Sequence, residues 1–191
     1  MRFTLSSSAL NARLQSLAKV INGKNSLPIL DSFLFEVGNK ELKITASDSE
    51  NVMTSLVSLD ECDGEGSFAV PNRTILDAVK ELPEQPLSFD IDTDALTIKI
   101  LYQNGIYNFT AQNADEYPHT QAVPDGAHVI TMSSVSLVNN ITRSLFATAA
   151  DELRPVMNGI YFDLSTDFLS IVATDGHKLV RNQDYTVKSD T

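Results

Sequence analysis

Apolar and polar residues alternate in two stretches of this chain, Leu27–Met53 and Arg154–Val180, which lie roughly 127 residues apart. In both stretches apolar side chains recur at every second position on either side of a short polar turn. This period of two predicts two half-buried strands joined as a hairpin. The aligned pairs include Pro28 with Pro155, Phe35 with Phe162, Leu42 with Leu169, Ile44 with Ile171, and Asp48 with Asp175. Positions at which the copies agree therefore indicate the fold.

The two stretches differ most clearly just after the aligned aspartates. The later copy reads Gly176-His177-Lys178-Leu179, where the earlier copy reads Ser49-Glu50-Asn51-Val52. The residues that the two copies share are explained by their common fold. The residues that differ are therefore better candidates for function.

The same repeat extends to strands and helices that precede the hairpins. Short strands are predicted to begin at Phe3, Phe68 and Ile130, and each is followed by a helical pattern. Their spacings add up to the offset between the hairpins, so three copies of one strand–helix–hairpin unit account for nearly every residue. We therefore predict an α+β fold with helices on one face and antiparallel sheets on the other.

The helix of copy one carries its apolar residues at i, i+4, i+7 and i+11, which makes one stripe. This stripe consists of Leu10, Leu14, Leu17 and Ile21. Ser7 or Ser8 is predicted to cap the start of the helix, and Gly23 to end it. Copy two has its stripe at Ile75, Leu76, Val79 and Leu82.

Copy three is predicted to begin with a strand at His128–Met132, followed by its own helix. The apolar residues placed inward on that helix are Leu137, Val138, Ile141 and Leu145, and those placed outward are Asn139, Asn140 and Arg143. Gln112–Gly126 is predicted to be a linker. We expect a complete first domain over residues 1–125, with repeats 1–66 and 67–125, and the first half of a second, truncated domain over residues 126–191.

The formal net charge of −11 is unusual for a protein that binds nucleic acid. Its distribution is uneven, because residues 1–30 contain no Asp or Glu but hold Arg2, Arg13, Lys19 and Lys24. This asymmetry indicates one mildly basic surface on an anionic body. Cys62 stands alone in an acidic turn, so a disulfide framework is impossible. No signal peptide or membrane-spanning run is evident, and a cytoplasmic location is expected.

The chain resembles the N-terminal half of the bacterial DNA polymerase III β subunits, the sliding clamps. The resemblance rests on Leu27-Pro28-Ile29-Leu30, on Arg154–Gly159, and above all on Ala173-Thr174-Asp175-Gly176-His177-Lys178-Leu179. It implies a DNA-clamp fold and a processivity factor whose full-length chain closes as a homodimeric ring around duplex DNA. It also implies tethering of the polymerase III α subunit, the clamp loader and other proteins with a clamp-binding motif.

Clamps line their hole with helices, and the resemblance implies sequence-independent DNA contacts from sparse cations on those helices. A protein with many phosphate contacts holds DNA tightly and loses about 10³–10⁵ in affinity between 50 and 200 mM salt, whereas a sliding ring needs only a few weak contacts. Solvated helix faces with no ligand are the alternative. The residues expected to contact DNA are Lys24, Lys19, Arg13, Arg73, Lys80 and Arg143.

The resemblance further implies a hydrophobic groove that takes the short peptides of clamp partners. Its expected residues are Met157, Thr174, Gly176, His177, Lys178 and Leu179, while Asp175 is expected to be structural because Asp48 has the same place in copy one. A plain β-turn is the alternative. Because a missing domain would supply the rest of the groove, this chain is expected to bind such peptides weakly or not at all.

Two other classes of function compete with this interpretation of the sequence. Asp175 and His177 could form a general acid–base pair, and His119, His128 and His177 could bind a metal, but no spacing or motif supports either. We therefore expect no catalysis, metal or cofactor. An acidic protein–protein interaction module without a DNA role remains the alternative. The unfinished second domain is expected to associate or to be less stable than the first.

Overall fold

The computed structural model describes residues 1–21, 25, 27–118, 126–127, 129–150 and 153–187. The chain divides into two compact units, unit 1 (Met1–Gln121) and unit 2 (Ala122–Thr191). The elements of unit 1 are β1 (Arg2–Ser6), α1 (Ser7–Leu17), β2 (Ser32–Gly38), β3 (Glu41–Ser47), β4 (Val52–Ser58), β5 (Glu61–Asp63), β6 (Gly66–Pro71), α2 (Asn72–Val79), β7 (Pro86–Asp92), β8 (Thr97–Tyr102) and β9 (Gly105–Thr110). Those of unit 2 are α3 (Ser134–Leu145), β10 (Tyr161–Leu164), β11 (Leu169–Thr174) and β12 (Leu179–Asp184).

Unit 1 contains two antiparallel sheets, with strand orders β5-β1-β7-β8-β9 and β4-β3-β2-β6. The first strand of copy one, β1, pairs with β7 of copy two. In the other sheet β2 of copy one pairs with β6 of copy two. Each sheet therefore draws strands from both copies, so that neither copy can complete its strand pairing without the other.

The core of unit 1 joins both sheets to α1 and α2. Leu10, Leu14 and Leu17 are fully buried, which confirms the apolar stripe predicted for the first helix. The rings of Phe3 and Phe89 stack with their centroids 4.7 Å apart, across the pairing of β1 with β7. Helix α1 also packs against α2, so both helices of unit 1 lie side by side.

The predicted ends of α1 were wrong. Ser6, not Ser7 or Ser8, caps the helix, because its backbone is extended and its Oγ accepts a hydrogen bond from the Ala9 N–H at 3.1 Å. The Ser7 hydroxyl instead donates to the carbonyl of Pro83 at 2.8 Å. The helix ends at Leu17, well before Gly23, which lies outside the described residues.

Two segments predicted as a turn and a linker take part in the packing of unit 1. Cys62 lies on the short strand β5, opposite Phe3 of β1. At the start of the predicted linker, Gln112 forms a β-bridge with Ala69, and Tyr117 is only 3% exposed, packed in a cluster with Ile29, Leu30 and Ala69. The composition of these segments is polar, but backbone pairing and one aromatic anchor hold them to the domain.

The described part of unit 2 contains α3 and the three-stranded sheet β10-β11-β12. The hairpin predicted from the alternating pattern is confirmed, with Phe162 opposite Ile171 and Thr174 opposite Leu179. The strand predicted at His128–Met132 was wrong for its described residues 129–132, which form no strand, and Val129 is 89% exposed. In unit 1 the equivalent strand pairs with a strand of the second copy, and the described part of unit 2 offers no such partner.

The rotation of α3 also differs from the prediction. Asn140, predicted to face outward, is buried, and so is Ser144. Val138 and Leu145, predicted to face inward, are 60% and 58% exposed. Leu137 and Ile141, also predicted to face inward, are half-buried, so the prediction holds for that part of the stripe. Hydrogen bonds join the polar residues of this helix to β12.

Candidate functional site

The first candidate site is the exposed surface of α1 and α2 in unit 1. Arg13 lies exposed on α1, and Lys19 lies exposed in the turn that follows it. A shallow hollow of about 520 Å³ between the two helices is lined by Gln15, Ser16 and Lys19, with Leu76 from α2. Ala12 and Ala18 complete the lining, so the hollow presents small apolar surface together with two uncharged polar groups and one cation.

Three other predicted DNA contacts lie at helix ends. Arg73 is exposed in the first turn of α2, and Arg143 is exposed in the last turn of α3, in unit 2. Lys80, at the end of α2, pairs with Asp77 at 2.9 Å, and the hydrogen bond and charge of that carboxylate raise the Lys80 pKa. Part of its charge is thus already compensated. Lys24 lies outside the described residues.

The second candidate site is the turn that joins β11 to β12 in unit 2. The Asp175 carboxylate accepts hydrogen bonds from the backbone N–H groups of His177 and Lys178, both at 2.9 Å, and pairs with the Lys178 ammonium at 3.0 Å. The N–H donors at Lys178 and His177, followed by the Lys178 side chain, lower the pKa of Asp175 well below its usual range. The Thr174 hydroxyl donates to the Lys178 carbonyl at 2.8 Å and so closes the turn.

The equivalent turn in unit 1 has the same construction. Asp48 accepts from the backbone N–H groups of Asn51 at 2.7 Å and Glu50 at 3.1 Å, so the structural role expected for the aligned aspartates is confirmed. Ser49 has a φ of 81° and Gly176 a φ of 89°, both in the left-handed region. Glycine adopts this left-handed conformation without strain, whereas Ser49 is strained by it.

Residues before β10 reach the same end of the sheet as this turn. Tyr161 pairs with Val172, so the chain just before Tyr161 lies level with the end of β11. A Cβ placed on Gly176 would lie 3.2 Å from Nη1 of Arg154, so that guanidinium rests against the turn. Met157 is half-buried and Leu179 is 68% exposed.

Arg154 also lies at this site, although it is not among the residues predicted to form the groove. The signal was available, because the aligned residue in copy one is Leu27, an apolar side chain. A cation that appears in only one copy, at the start of the motif, is a candidate for function by the same reasoning that selected His177.

The geometry offers no acid–base chemistry at Asp175. Both of its carboxylate oxygens are engaged by the turn and by Lys178, and its lowered pKa makes it a poor proton acceptor. Within the described residues no three His, Cys, Asp or Glu side chains come together as a metal site. His119 and His128 lie outside those residues.

Sequence comparison places both units in one family. Residues 1–121 match the model of the DNA polymerase III beta subunit N-terminal domain, and residues 131–190 match that of its central domain. The beta sliding clamp of Pseudomonas putida is 33% identical over 181 residues, covering 94% of this chain and 48% of that protein. The beta sliding clamp of Bacillus subtilis is 28% identical over 186 residues, with 94% and 49% coverage. The chain thus spans about half the length of the curated relatives it matches.

Solved structures give the same result. The DNA polymerase III subunit beta of Pseudomonas aeruginosa superposes with a TM-score of 0.90 at 26% identity, covering all of this chain and 52% of that one. A complex of the Pseudomonas aeruginosa sliding clamp with griselimycin has a TM-score of 0.89 at 26% identity and the same coverage. The predicted α+β clamp fold is confirmed, and the chain belongs to the DNA polymerase III beta subunit family, the sliding clamps.

Proposed function

We propose that this chain is part of a sliding clamp, a non-catalytic processivity factor that encircles duplex DNA without reading its sequence. In the full-length protein the ring is a homodimer in the cytoplasm, and it tethers the polymerase III α subunit, the clamp loader and other proteins with a clamp-binding motif. The proposed domains are residues 1–125, a complete clamp domain, and residues 126–191, the first half of a second.

The observation that carries this proposal is the polar surface of the paired helices α1 and α2. The exposed polar groups there are already bonded to their own helix, since Gln15 donates to Asn11 at 3.2 Å and the Ser16 hydroxyl donates to the Ala12 carbonyl at 3.0 Å. Polar groups whose hydrogen bonds are already made within the helix form few specific hydrogen bonds with base edges. Such a surface can pass along DNA without holding one register.

The sparse cations complete this surface. Arg13, Lys19 and Arg73 add a few positive charges to the helix side of an otherwise anionic chain, and Lys80 is already paired with Asp77. Each phosphate contact contributes about 0.9 to the slope of log affinity against log salt. A few contacts therefore give a weak, salt-sensitive grip, and retention on DNA has to come from ring closure instead.

The turn of β11 and β12 supports the proposed peptide groove. The hydrogen bonds of Asp175 and Thr174 hold the turn in place, and Leu179, which directly follows it, exposes apolar surface. Met157 is half-buried and is proposed as a second apolar residue of the groove. A rigid apolar slot with polar edges is the usual form of a peptide site. His177 and Lys178 are both exposed at its edge, where they can contact the backbone or side chains of a peptide.

Retention on topologically closed DNA tests the proposal. The full-length protein, loaded on nicked circular DNA, is expected to stay bound in about 1 M salt, where phosphate contacts are screened, and to be lost once the circle is cut. A protein that leaves circular and linear DNA equally fast is not a clamp. Failure to bind either DNA at low salt, together with capture of clamp-motif peptides, would favour the acidic interaction module.

None of the helices in the described part of the chain is long and apolar enough to span a membrane.

A further inference from the structure

Helix α3 is held to β12 by a ladder of polar side chains, the polar ladder, made of Ser136, Asn140 and Ser144 on the helix and Asn182 and Asp184 on the strand. The Asp184 carboxylate accepts hydrogen bonds from the Ser136 hydroxyl and from the Asn140 amide, the latter at 3.0 Å. Asn182 donates to the Ser144 hydroxyl at 2.9 Å, which in turn donates to the Asn140 carbonyl at 2.9 Å. Positions i, i+4 and i+8 of the helix thus meet positions i and i+2 of the strand.

Asn140, Ser144 and Asp184 of the ladder are buried, while Ser136 and Asn182 are half-buried. Asp184 is 8% exposed and Ser144 is fully buried. Thr186 adds two further donors to Asp184, its N–H at 3.0 Å and its hydroxyl at 2.6 Å. The hydrogen bonds from Ser136 and Thr186 lower the pKa of Asp184 to about 2, so the carboxylate is charged at neutral pH.

Copy one makes the same contact differently. The residues aligned with Ser144 and Asp184 are Leu17 and Val57, which are 0% and 6% exposed in the core of unit 1. Arg13, aligned with the buried Asn140, is exposed. An apolar helix–sheet contact in copy one is therefore a hydrogen-bonded contact in copy three.

The ladder opposes the apolar stripe of its own helix. Leu137 and Ile141 of that stripe are half-buried. Val135, Val138 and Leu145 are 68%, 60% and 58% exposed, so burial of apolar area favours turning these three toward the sheet. Since each residue turns an α-helix by about 100°, the side formed by Ser136, Asn140 and Ser144 lies roughly 115° from the centre of the predicted stripe of Leu137, Val138, Ile141 and Leu145. Specific polar contacts set the orientation of packed helices in other proteins.

We infer that Asp184 and Asn182 are positioning residues, which fix α3 in the rotation that leaves Asn139, Thr142 and Arg143 exposed. The inference depends on the proposed function in one respect only, namely that the exposed side of α3 would face DNA. The rotation itself is a property of the chain and can be tested without DNA.

The test replaces the central rung in the 191-residue chain by the double substitution Asn140→Ala and Asp184→Ala, which removes the hydrogen bonds without adding a large apolar side chain, with isotope-labelled methyl groups for NMR. The helix is expected to remain but to turn, so that the Val138 methyls gain nuclear Overhauser contacts to Ile171 that the native chain lacks. The conservative Asp184→Asn variant retains an acceptor oxygen and is expected to keep the native contacts. Its α3 amides should exchange on the order of tenfold faster.

The matched control is Asp163→Asn, which removes an exposed carboxylate from β10 and should change neither measurement. Native α3 contacts in the alanine double variant would overturn the inference. If that variant does not fold, Ser136→Ala with Ser144→Ala removes two rungs and leaves the charge bonded to Asn140 and Thr186. Two sets of α3 signals are then expected, and a single native set would overturn the inference. Either outcome is independent of retention on circular DNA.

Discussion

Ile44 and Ile171 occupy equivalent positions of the repeat, and both side chains are fully buried. Changing each of them to alanine deletes the same atoms from two different cores. We expect the two variants to behave very differently. Ile44→Ala should weaken unit 1 without unfolding it, whereas Ile171→Ala should unfold unit 2 and leave unit 1 intact.

The difference follows from the size of the two cores. Truncation of a buried isoleucine to alanine costs about 2–5 kcal/mol. The core of unit 1 draws on both helices and both sheets, and a domain of this size is typically stable by about 5–15 kcal/mol. In the described part of unit 2 the buried core cluster around Ile171 consists of Leu169, Ile171 and Val187, so a loss of about 3 kcal/mol is comparable with all the stability that it can supply.

Hydrogen exchange combined with scanning calorimetry measures both effects. Ile171→Ala should abolish amide protection in β11 and β12 while leaving protection in β2 and β3 unchanged. Ile44→Ala should lower the melting temperature of unit 1 by about 10 °C and retain native protection in unit 2. A single melting transition that both substitutions lower equally would refute the reasoning, because the two units would then be one cooperative structure.

Three further predictions concern the turns, the ladder and the helix surface. Gly176→Ala should lower the free energy of unfolding of unit 2 by about 1–2 kcal/mol, because alanine is strained at a positive φ. Ser49→Gly should be neutral or should stabilise unit 1 by about 0.5 kcal/mol. Urea titrations measure both changes. Hydrogen bonds from Ser136 and Thr186 lower the pKa of Asp184 from 3.8 to about 2. The ionised carboxylate therefore contributes its full share to the stability of unit 2 above about pH 4, and this contribution is lost as the pH falls toward about 2. Acid titration of protection in α3 should show this loss, and Asp184→Asn should remove it. In the full-length protein Arg13→Ala should reduce the salt dependence of DNA affinity by about 0.9 in slope, and Lys80→Ala, whose cation is paired, by less; equal slopes for the two variants would contradict this.

The hairpins and the first helix could be predicted because local patterns determine them. Leu10, Leu14 and Leu17 recur with the helical period and are buried, and the alternation around Phe35 and Ile44 predicted two strands that pair as expected. Repetition of that alternation along the chain indicated the recurring strand–helix–hairpin unit. The turn at Asp175 was predictable for the same reason, since its hydrogen bonds connect residues within three positions of one another.

Features that depend on distant residues could not be predicted from local patterns. The side of α3 that faces the sheet is set by Asp184, 44 residues after Asn140, and no period within the helix reports that partner. Tyr117 is buried because Ile29, Leu30 and Ala69 surround it, although its own neighbours are polar. Periodicity and repetition in the sequence thus determined the elements and their order, and the short motif Ala173–Leu179 indicated the family, because each is encoded in residues near one another. The tertiary structure alone decided which polar groups are buried, because that depends on hydrogen-bond partners that the fold brings from elsewhere in the chain.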